Sequence, residues 1–173
     1  MLDRIDFPRR PFDIGPVNAT AYIALGANLG DRAGNIAAAV ESLGRTPGVT
    51  VRKVSEFMEN PAVGGPADSP PFLNGAAAVE TSLSPRELLD RLLEVEREIG
   101  RVRREKWGPR SIDLDLLLYE ERVVDEPGLA LPHPLMHRRR FVLEPLAQIA
   151  PDVVHPVLGR TIAELSRDAA AAD

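Results

Sequence analysis

Residues 84–100 read SPRELLDRLLEVEREIG, and this stretch predicts the amphipathic helix from which the fold is deduced. Ser84 followed by Glu87 is the pattern of a capping box, and Pro85 suits the first helical position, where its missing N–H has no helical partner anyway. The apolar positions recur at helical spacing: Leu88, Leu89, Leu92, Val95 and Ile99. The helix is expected to end at Gly100 and to bury one face against a sheet.

Short apolar segments around this helix predict four strands, at residues 21–25, 49–59, 72–81 and 112–118. A further helix, capped by Asp31 and ended by Gly44, separates the first two strands. The resulting order, β-α-β-β-α-β, is the split βαβ or ferredoxin-like arrangement. We therefore predict an α+β fold with a ferredoxin-like βαββαβ core, an antiparallel sheet with the first and third strands central, and C-terminal additions. The helices lie on one face, and the other face is left free to build a site.

The segments beyond this core carry weaker signals. Val123 and Val124 are expected to pair back on the fourth strand, and Thr161 with Glu164 predicts a capping box for a last short helix. Residues 1–18 are predicted to be a loose N-terminal extension, residues 19–165 the folded domain, and residues 166–173 a frayed helix end or a C-terminal tail.

Composition excludes several classes of function. The chain has 173 residues, which suits one domain, and it has no cysteine, so disulfides, thiolate metal sites and a cysteine nucleophile are ruled out. No apolar run is long enough to span a membrane and the first residues lack a signal peptide, so we expect a cytoplasmic protein with no membrane partner. A net charge of −5 argues against nucleic-acid binding, whereas six basic residues between positions 97 and 110 suit a small polyanion.

Asp113 and Asp115 are the sharpest chemical feature. On a strand they point to one face, with Leu114 on the other, and their Cα atoms lie about 6.6 Å apart. Two carboxylates so placed suit Mg²⁺, and a two-metal site shares such ligands. A bare Asp-x-Asp also occurs on solvated strand faces; the basic residues upstream favour the metal reading, because phosphate needs both metal and guanidinium partners.

Four other positions attract attention but have simpler explanations. Trp107 in a charged loop could cover a small local core or close over a flat ligand. Asn74 and Phe72 share a strand face and offer an amide and a stacking plane to a heterocycle. Taken without further context, however, turn chemistry is the favoured explanation for Asn74 and core packing the favoured one for Phe72. His133 lies between two prolines and near a run of arginines, which favours a phosphate or ribose contact over a structural role.

Four motifs in order resemble the 6-hydroxymethyl-7,8-dihydropterin pyrophosphokinase family of folate biosynthesis. They are Tyr-Ile-Ala-Leu-Gly-Ala-Asn-Leu-Gly at 22–30, Phe-Leu-Asn-Gly-Ala at 72–76, the segment 100–115 with Trp-Gly-Pro-Arg-Ser-Ile-Asp-Leu-Asp, and Leu-Pro-His-Pro at 131–134 continuing to residue 146. The resemblance covers about residues 19–165. It implies a transferase, a kinase that moves the β,γ-diphosphate of ATP to the hydroxymethyl group of the pterin and releases AMP.

The resemblance also implies roles for individual residues. Two Mg²⁺ ions would be held by Asp113 and Asp115, and ATP would be the co-substrate. The other matching positions are Arg101 and Arg110 as catalytic residues; Arg103, Trp107, His133 and Arg139 as ATP contacts; and Asn74, Phe72, Phe141, Pro61, Val63 and Asn28 as the pterin pocket. A monomer that binds only small molecules is expected. The family's usual Tyr-x-Thr-Pro is replaced by Met-Glu-Asn-Pro at 58–61.

Two other readings compete with an active pyrophosphokinase. A ferredoxin-like RNA-recognition domain would need exposed aromatic residues on its central strands and a basic surface, whereas aromatic residues are 5% of this chain and its net charge is negative. An inactive family member would be expected to have lost the acidic pair, which is intact here.

Overall fold

A single antiparallel sheet organises the protein, and the computed structural model describes it through residues 18–60, 70–100 and 111–172. Four of its strands are β1 (Ala19–Ala27), β2 (Val49–Val54), β4 (Phe72–Thr81) and β5 (Asp113–Tyr119), in the order β2-β4-β1-β5. The short β3 (Met58–Asn60) pairs with the beginning of β4. The predicted ferredoxin-like order is confirmed, with the first strand and the strand from Phe72 at the centre.

Two helices cover the first face of this sheet, α1 (Arg32–Gly44) and α2 (Pro85–Glu98). Their predicted caps are confirmed: the Asp31 side chain accepts a hydrogen bond from Gly34 N, and Ser84 and Glu87 cap each other reciprocally. Alternate residues of β1 face these helices and are fully buried, Ile23 among them. This face is a closed apolar core.

The second face is only partly covered, by a helix that the sequence analysis does not assign. This helix, α3 (Arg140–Ile149), contains Pro145 and packs on the central strands, burying Leu143 and Leu146 completely. A proline normally breaks a helix because it removes a backbone donor, but here the burial of an apolar stripe outweighs that cost. The last helix, α4 (Ile162–Ala171), begins at the predicted cap Thr161 and packs against α3. The predicted tail is therefore helical as far as Ala171.

Two strand predictions are corrected by the structure. The strand predicted over 49–59 is interrupted, because the Ser55 hydroxyl accepts from Ala76 N and donates to Glu56 O, which replaces ladder hydrogen bonds at that point. The expected pairing of residues 123–124 with the fourth strand is wrong. Instead β6 (Val124–Glu126) forms a hairpin with β7 (Leu129–Leu131). Gly128 has a φ of 77°, which suits the tight turn that joins these two strands.

None of the helices in the described ranges is both long and apolar enough to cross a bilayer.

Candidate active site

Three residues form a row across the half of the second face that no described helix covers, called the open half below. In the strand register Gly26 pairs with Asn74 on β4 and with Asp113 on β5. A Cβ atom at position 26 would lie 3.2 Å from Asn74 Nδ2 and 3.7 Å from the Phe72 ring. The glycine therefore keeps the floor between the amide and the carboxylate open. The sequence predicts a strand over 21–25 and assigns Gly26 no role of its own, although a glycine inside a strand often marks such a close approach.

Asn74 presents an acceptor that the rest of the described chain does not use. Its side chain is buried, and no residue within the described ranges donates a hydrogen bond to Oδ1. A buried polar atom left unpaired costs free energy, so a site of this kind is suited to a ligand that brings its own donor. Phe72 lies two residues earlier on the same face and is half-buried. The structure thus brings the predicted amide and aromatic plane together.

Asp113 and Asp115 lie on β5 as the spacing predicts. They alternate with Leu114 and Leu116, which are 3% and 5% exposed and belong to the core of the first face. Both residues are half-buried on the second face, with Asp113 opposite Gly26 and Asp115 opposite Ala24 in the strand register. No cluster of three or more acidic or histidine side chains able to hold a metal occurs in the parts of the chain that the structure describes. Two aspartates fit Mg²⁺ that also takes oxygen ligands from a substrate phosphate.

His133 lies near Asp113 and Asp115 and is hydrogen-bonded to β5, the last strand in the order of the sheet. Its backbone N–H donates to Leu117 O at 2.9 Å, and its ring Nδ1 accepts from Leu135 N at 3.2 Å. Burial lowers the pKa of His133 and Arg139 lowers it further, while Asp113 opposes both. The neutral ring, with Nδ1 occupied as an acceptor, carries its proton on Nε2 and can donate there.

A cavity of about 340 Å³ connects His133 with Asp115 along β5. One wall comes from α2 and β5, and the other from the β6–β7 hairpin. The hairpin is held to α2 by Arg86, which donates to Glu126 Oε2 at 3.2 Å and to Pro127 O at 2.9 Å. The cavity is lined by aliphatic side chains, among them Leu89, Leu116 and Leu129, and by the polar side chains of Asp115, Glu126 and His133. Such a lining suits a flat apolar ring with polar edges.

Arg139 and Phe141 lie at the beginning of α3. The Arg139 guanidinium lies 5.9 Å from the centre of the Phe141 ring, a distance at which a cation–π attraction orients both. Phe141 also packs against the core of the second face. The first turn of α3 therefore presents a cation and an aromatic ring at the boundary between the covered and the open half of the sheet.

Two residues after β1 hold the beginning of β4 in place. Asn28 is 2% exposed and donates from Nδ2 to Pro70 O at 3.3 Å. Arg32 donates to Pro71 O at 3.0 Å and to Glu59 Oε1 at 2.6 Å, so it joins β3 to the residue before Phe72. The sequence alone does not indicate this role of Arg32, because its partners Pro71 and Glu59 are distant in the chain.

The remaining predicted site residues lie outside the described ranges. They are Arg101, Arg103, Trp107, Arg110, Pro61 and Val63. Their assigned roles stay predictions from the resemblance.

The fold defines the class of the protein: an α+β domain in which helices pack against an antiparallel sheet. The chain belongs to the 7,8-dihydro-6-hydroxymethylpterin-pyrophosphokinase (HPPK) family, whose sequence model matches residues 22–151.

Relatives and a solved structure agree with that family. The chain is 47% identical over 145 residues to a 2-amino-4-hydroxy-6-hydroxymethyldihydropteridine pyrophosphokinase of Pseudomonas aeruginosa, covering 83% of this chain and 88% of the relative. It is 42% identical over 158 residues to the Synechocystis enzyme of the same name, covering 91% and 80%. A crystal structure of a Plasmodium falciparum HPPK-DHPS triple mutant with pteroate aligns with a TM-score of 0.72 at 14% identity. It covers 92% of this chain and 45% of that one, and shows a shared fold.

Proposed function

We propose that this chain transfers the β,γ-diphosphate of ATP to the hydroxymethyl group of 6-hydroxymethyl-7,8-dihydropterin and releases AMP, a step of folate biosynthesis. Membership of the family and the names of its relatives support the activity. The observation that carries the proposal is the row formed by Asn74, Gly26 and Asp113. On the open half of the sheet, this row places the Asn74 amide oxygen, which has no hydrogen-bond donor among the described residues, near a carboxylate suited to binding Mg²⁺.

The dimensions of this row suit the two substrates. Neighbouring strands lie about 4.8 Å apart, so Asn74 and Asp113, two strands apart, are separated by roughly 10 Å. A bicyclic pterin read at its edge by Asn74 and stacked on Phe72 can then point its hydroxymethyl group toward β5. Gly26 leaves room for the ring between them, since a side chain there would press on the Asn74 amide.

Asp113 and Asp115 are the residues that would hold magnesium, and we propose two ions. Bound Mg²⁺ supplies charge neutralisation to the phosphates during transfer. Carboxylates on alternate residues of a strand are fixed by the sheet, so the chain itself presents them in one direction. That arrangement reduces the reorganisation needed when the phosphates arrive.

The reaction forms one bond and breaks another at the β-phosphorus. The hydroxymethyl oxygen attacks that phosphorus in line, and the bond to the oxygen bridging the α and β phosphates breaks, so AMP leaves and the hydroxyl proton is lost. Transfers of this type depend mainly on positioning and on stabilisation of charge. The basic residues Arg101 and Arg110, by resemblance, would supply additional charge.

We place ATP with its base in the cavity beside β5. The cavity runs from the hairpin to Asp115, so a nucleotide seated there would bring its phosphates to the carboxylates. His133 offers a neutral N–H donor at the boundary, and Arg139 offers a cation for the phosphates or ribose. Arg103 and Trp107 would complete this half of the site, with Asn28, Phe141, Pro61 and Val63 around the pterin.

Product identification tests the proposal. The protein is incubated with ATP, Mg²⁺ and 6-hydroxymethyl-7,8-dihydropterin, and nucleotides and pterins are separated. AMP should appear in equal amount to a pterin diphosphate. Stoichiometric ADP would rule the proposal out. The Asp115→Asn variant, prepared in the same way, should form almost no AMP, which excludes a contaminating enzyme as its source.

A further inference from the structure

The apolar stripe of α2 contains one acidic residue that is buried. Glu96 is 2% exposed, although its neighbours in the stripe, Leu92 and Val95, are aliphatic and fully buried. Burying a carboxylate is costly unless hydrogen bonds compensate for the lost water. An aliphatic residue at this position would complete the stripe at no such cost, so the packing of α2 alone does not account for the glutamate.

The contact of Glu96 leads directly to the paired aspartates. Its Oε1 accepts a hydrogen bond from Leu114 N at 2.9 Å, in a buried setting. Leu114 is the residue between Asp113 and Asp115. Because β5 is the last strand in the order β2-β4-β1-β5, its outward N–H groups have no partner among the described strands. Glu96 supplies that partner at Leu114, and a charged acceptor makes this hydrogen bond stronger than an ordinary ladder bond.

We propose that Glu96 is a positioning residue for the metal-binding carboxylates, a role that rests on the proposed function. The register between β1 and β5 ends at the pair Gly26 and Asp113, so Leu114 lies one residue from the end of the paired segment. Rotation of the peptide at Leu114 would turn the carboxylates on both sides of it. Glu96 fixes that peptide from the first face, and thereby fixes the direction of both aspartates on the second face.

Three variants separate this role from ordinary stability. Glu96→Leu removes the acceptor, Glu96→Gln keeps an acceptor oxygen but loses the charge, and Glu94→Gln removes an exposed charge from the same helix as a matched control. Three quantities are compared: the Mg²⁺ concentration that half-saturates binding of α,β-methylene-ATP, the dissociation constant of the pterin, and the amide exchange rate of Leu114 in the ligand-free protein.

The proposal predicts that the loss of Glu96 weakens Mg²⁺ binding much more than pterin binding. Removing a group that orients metal ligands typically costs 10- to 100-fold, so Glu96→Leu should raise the half-saturating Mg²⁺ and lower turnover by about that factor. Its pterin affinity should stay within about twofold, because Asn74 and Phe72 are untouched, and exchange at Leu114 should rise at least about tenfold while Ile23 stays protected. Glu96→Gln should shift the Mg²⁺ midpoint by only about two- to fivefold, since a neutral acceptor is weaker.

Two results would overturn the proposal. One is an Mg²⁺ midpoint in Glu96→Leu that matches Glu94→Gln; the other is a parallel loss of melting temperature, pterin affinity and metal affinity, which a purely structural residue would give. If Glu96→Leu does not fold, Glu96→Gln decides, and an unchanged midpoint in that variant contradicts the proposal. Failure of the unmodified protein to form AMP would refute the proposed function instead, while exchange at Leu114 and metal-dependent analogue binding would still test Glu96.

Discussion

The two faces of the sheet are built from the same strands but differ in what they bury. On the first face, α1 and α2 cover alternate strand residues such as Ile23 and bury their own apolar residues such as Leu92, and both of these side chains are fully buried. On the second face, α3 covers one half of the sheet, and the other half keeps Asn74, Gly26 and Asp113 in a row. One face is optimised for burial, and the open half of the other retains polar groups that cost stability.

This difference shows how a small domain can separate folding from chemistry. The alternation of side chains along a strand places the carboxylate of Asp113 on one face and the aliphatic chain of Leu114 on the other. Substitutions on the first face should therefore change stability, and substitutions on the open half should change function. Four predictions test that separation, in order of decreasing effect.

The largest effect is expected from the paired aspartates. Asp113→Ala or Asp115→Ala should lower turnover by about 10³–10⁵, or roughly 4–7 kcal/mol, because the charge on the transferring diphosphate is no longer neutralised. Pterin affinity and folding should change little. Steady-state rates at saturating Mg²⁺, with the exposed Asp90→Ala as control, measure this. A variant that keeps more than about a tenth of the turnover would refute the shared metal role.

The next effect belongs to the first face. Leu92→Ala should lower the free energy of unfolding by about 2–5 kcal/mol, because the cavity it leaves lies in a fully buried core. Denaturant unfolding measures the loss, and Val123→Ala, at a side chain that is 63% exposed, is the control. The variant that remains folded should keep the pterin affinity of the unmodified protein. A large fall in that affinity would contradict the claim that the first face determines stability and the open half determines function.

Asn74 is expected to behave in the opposite way to Leu92, with a loss of pterin affinity and little change in stability. Asn74→Ala should weaken pterin binding by about 1–3 kcal/mol, which is roughly fivefold to 150-fold, because the ligand loses its partner in a buried site. The free energy of unfolding should change by less than about 1 kcal/mol, since Oδ1 has no partner among the described residues of the ligand-free protein. Isothermal titration calorimetry with the pterin measures the change in affinity, and denaturant unfolding measures the change in the free energy of unfolding. A variant that loses stability and keeps affinity would assign Asn74 to the core.

The smallest effect concerns pH and belongs to His155, a buried histidine in the segment before α4. Burial lowers the pKa of His155, and His137 lowers it further, so below about pH 6.5 the unfolded chain takes up this proton more readily than the folded one. Stability should therefore fall as the pH drops from 7.5 to 5.5. In His155→Asn that fall should be smaller, because the amide oxygen can still accept from Leu158 N but does not titrate.

Melting temperatures at the two pH values measure this effect. An equal fall in both proteins would show that His155 does not contribute. Turnover at pH 7.5 should be the same in both, as expected for a residue outside the open half.

Local patterns predicted most of the elements and the acidic pair. The caps at Asp31 and Ser84 and the alternation around Leu114 are readable from spacing alone, because each depends on residues close together in the chain. The helix containing Pro145 was not predicted, since its stability comes from packing on distant strands. Gly26 and Arg32 were missed for the same reason: their roles arise only when separate strands meet.

Several sequence predictions stay as they were. The catalytic domain over 19–165, the extension over 1–18, the monomeric state and the cytoplasmic location are not tested by the fold. The roles of Arg101 and Arg110 likewise depend on the resemblance.

A crystal structure of the complex with α,β-methylene-ATP, Mg²⁺ and 6-hydroxymethyl-7,8-dihydropterin tests the central claim most directly. The open half of the second face should hold both substrates, with the pterin edge hydrogen-bonded to Asn74. Oxygens of both Asp113 and Asp115 should lie about 2.0–2.1 Å from bound Mg²⁺. Magnesium bound without either aspartate, or a pterin seated away from Asn74, would contradict the account.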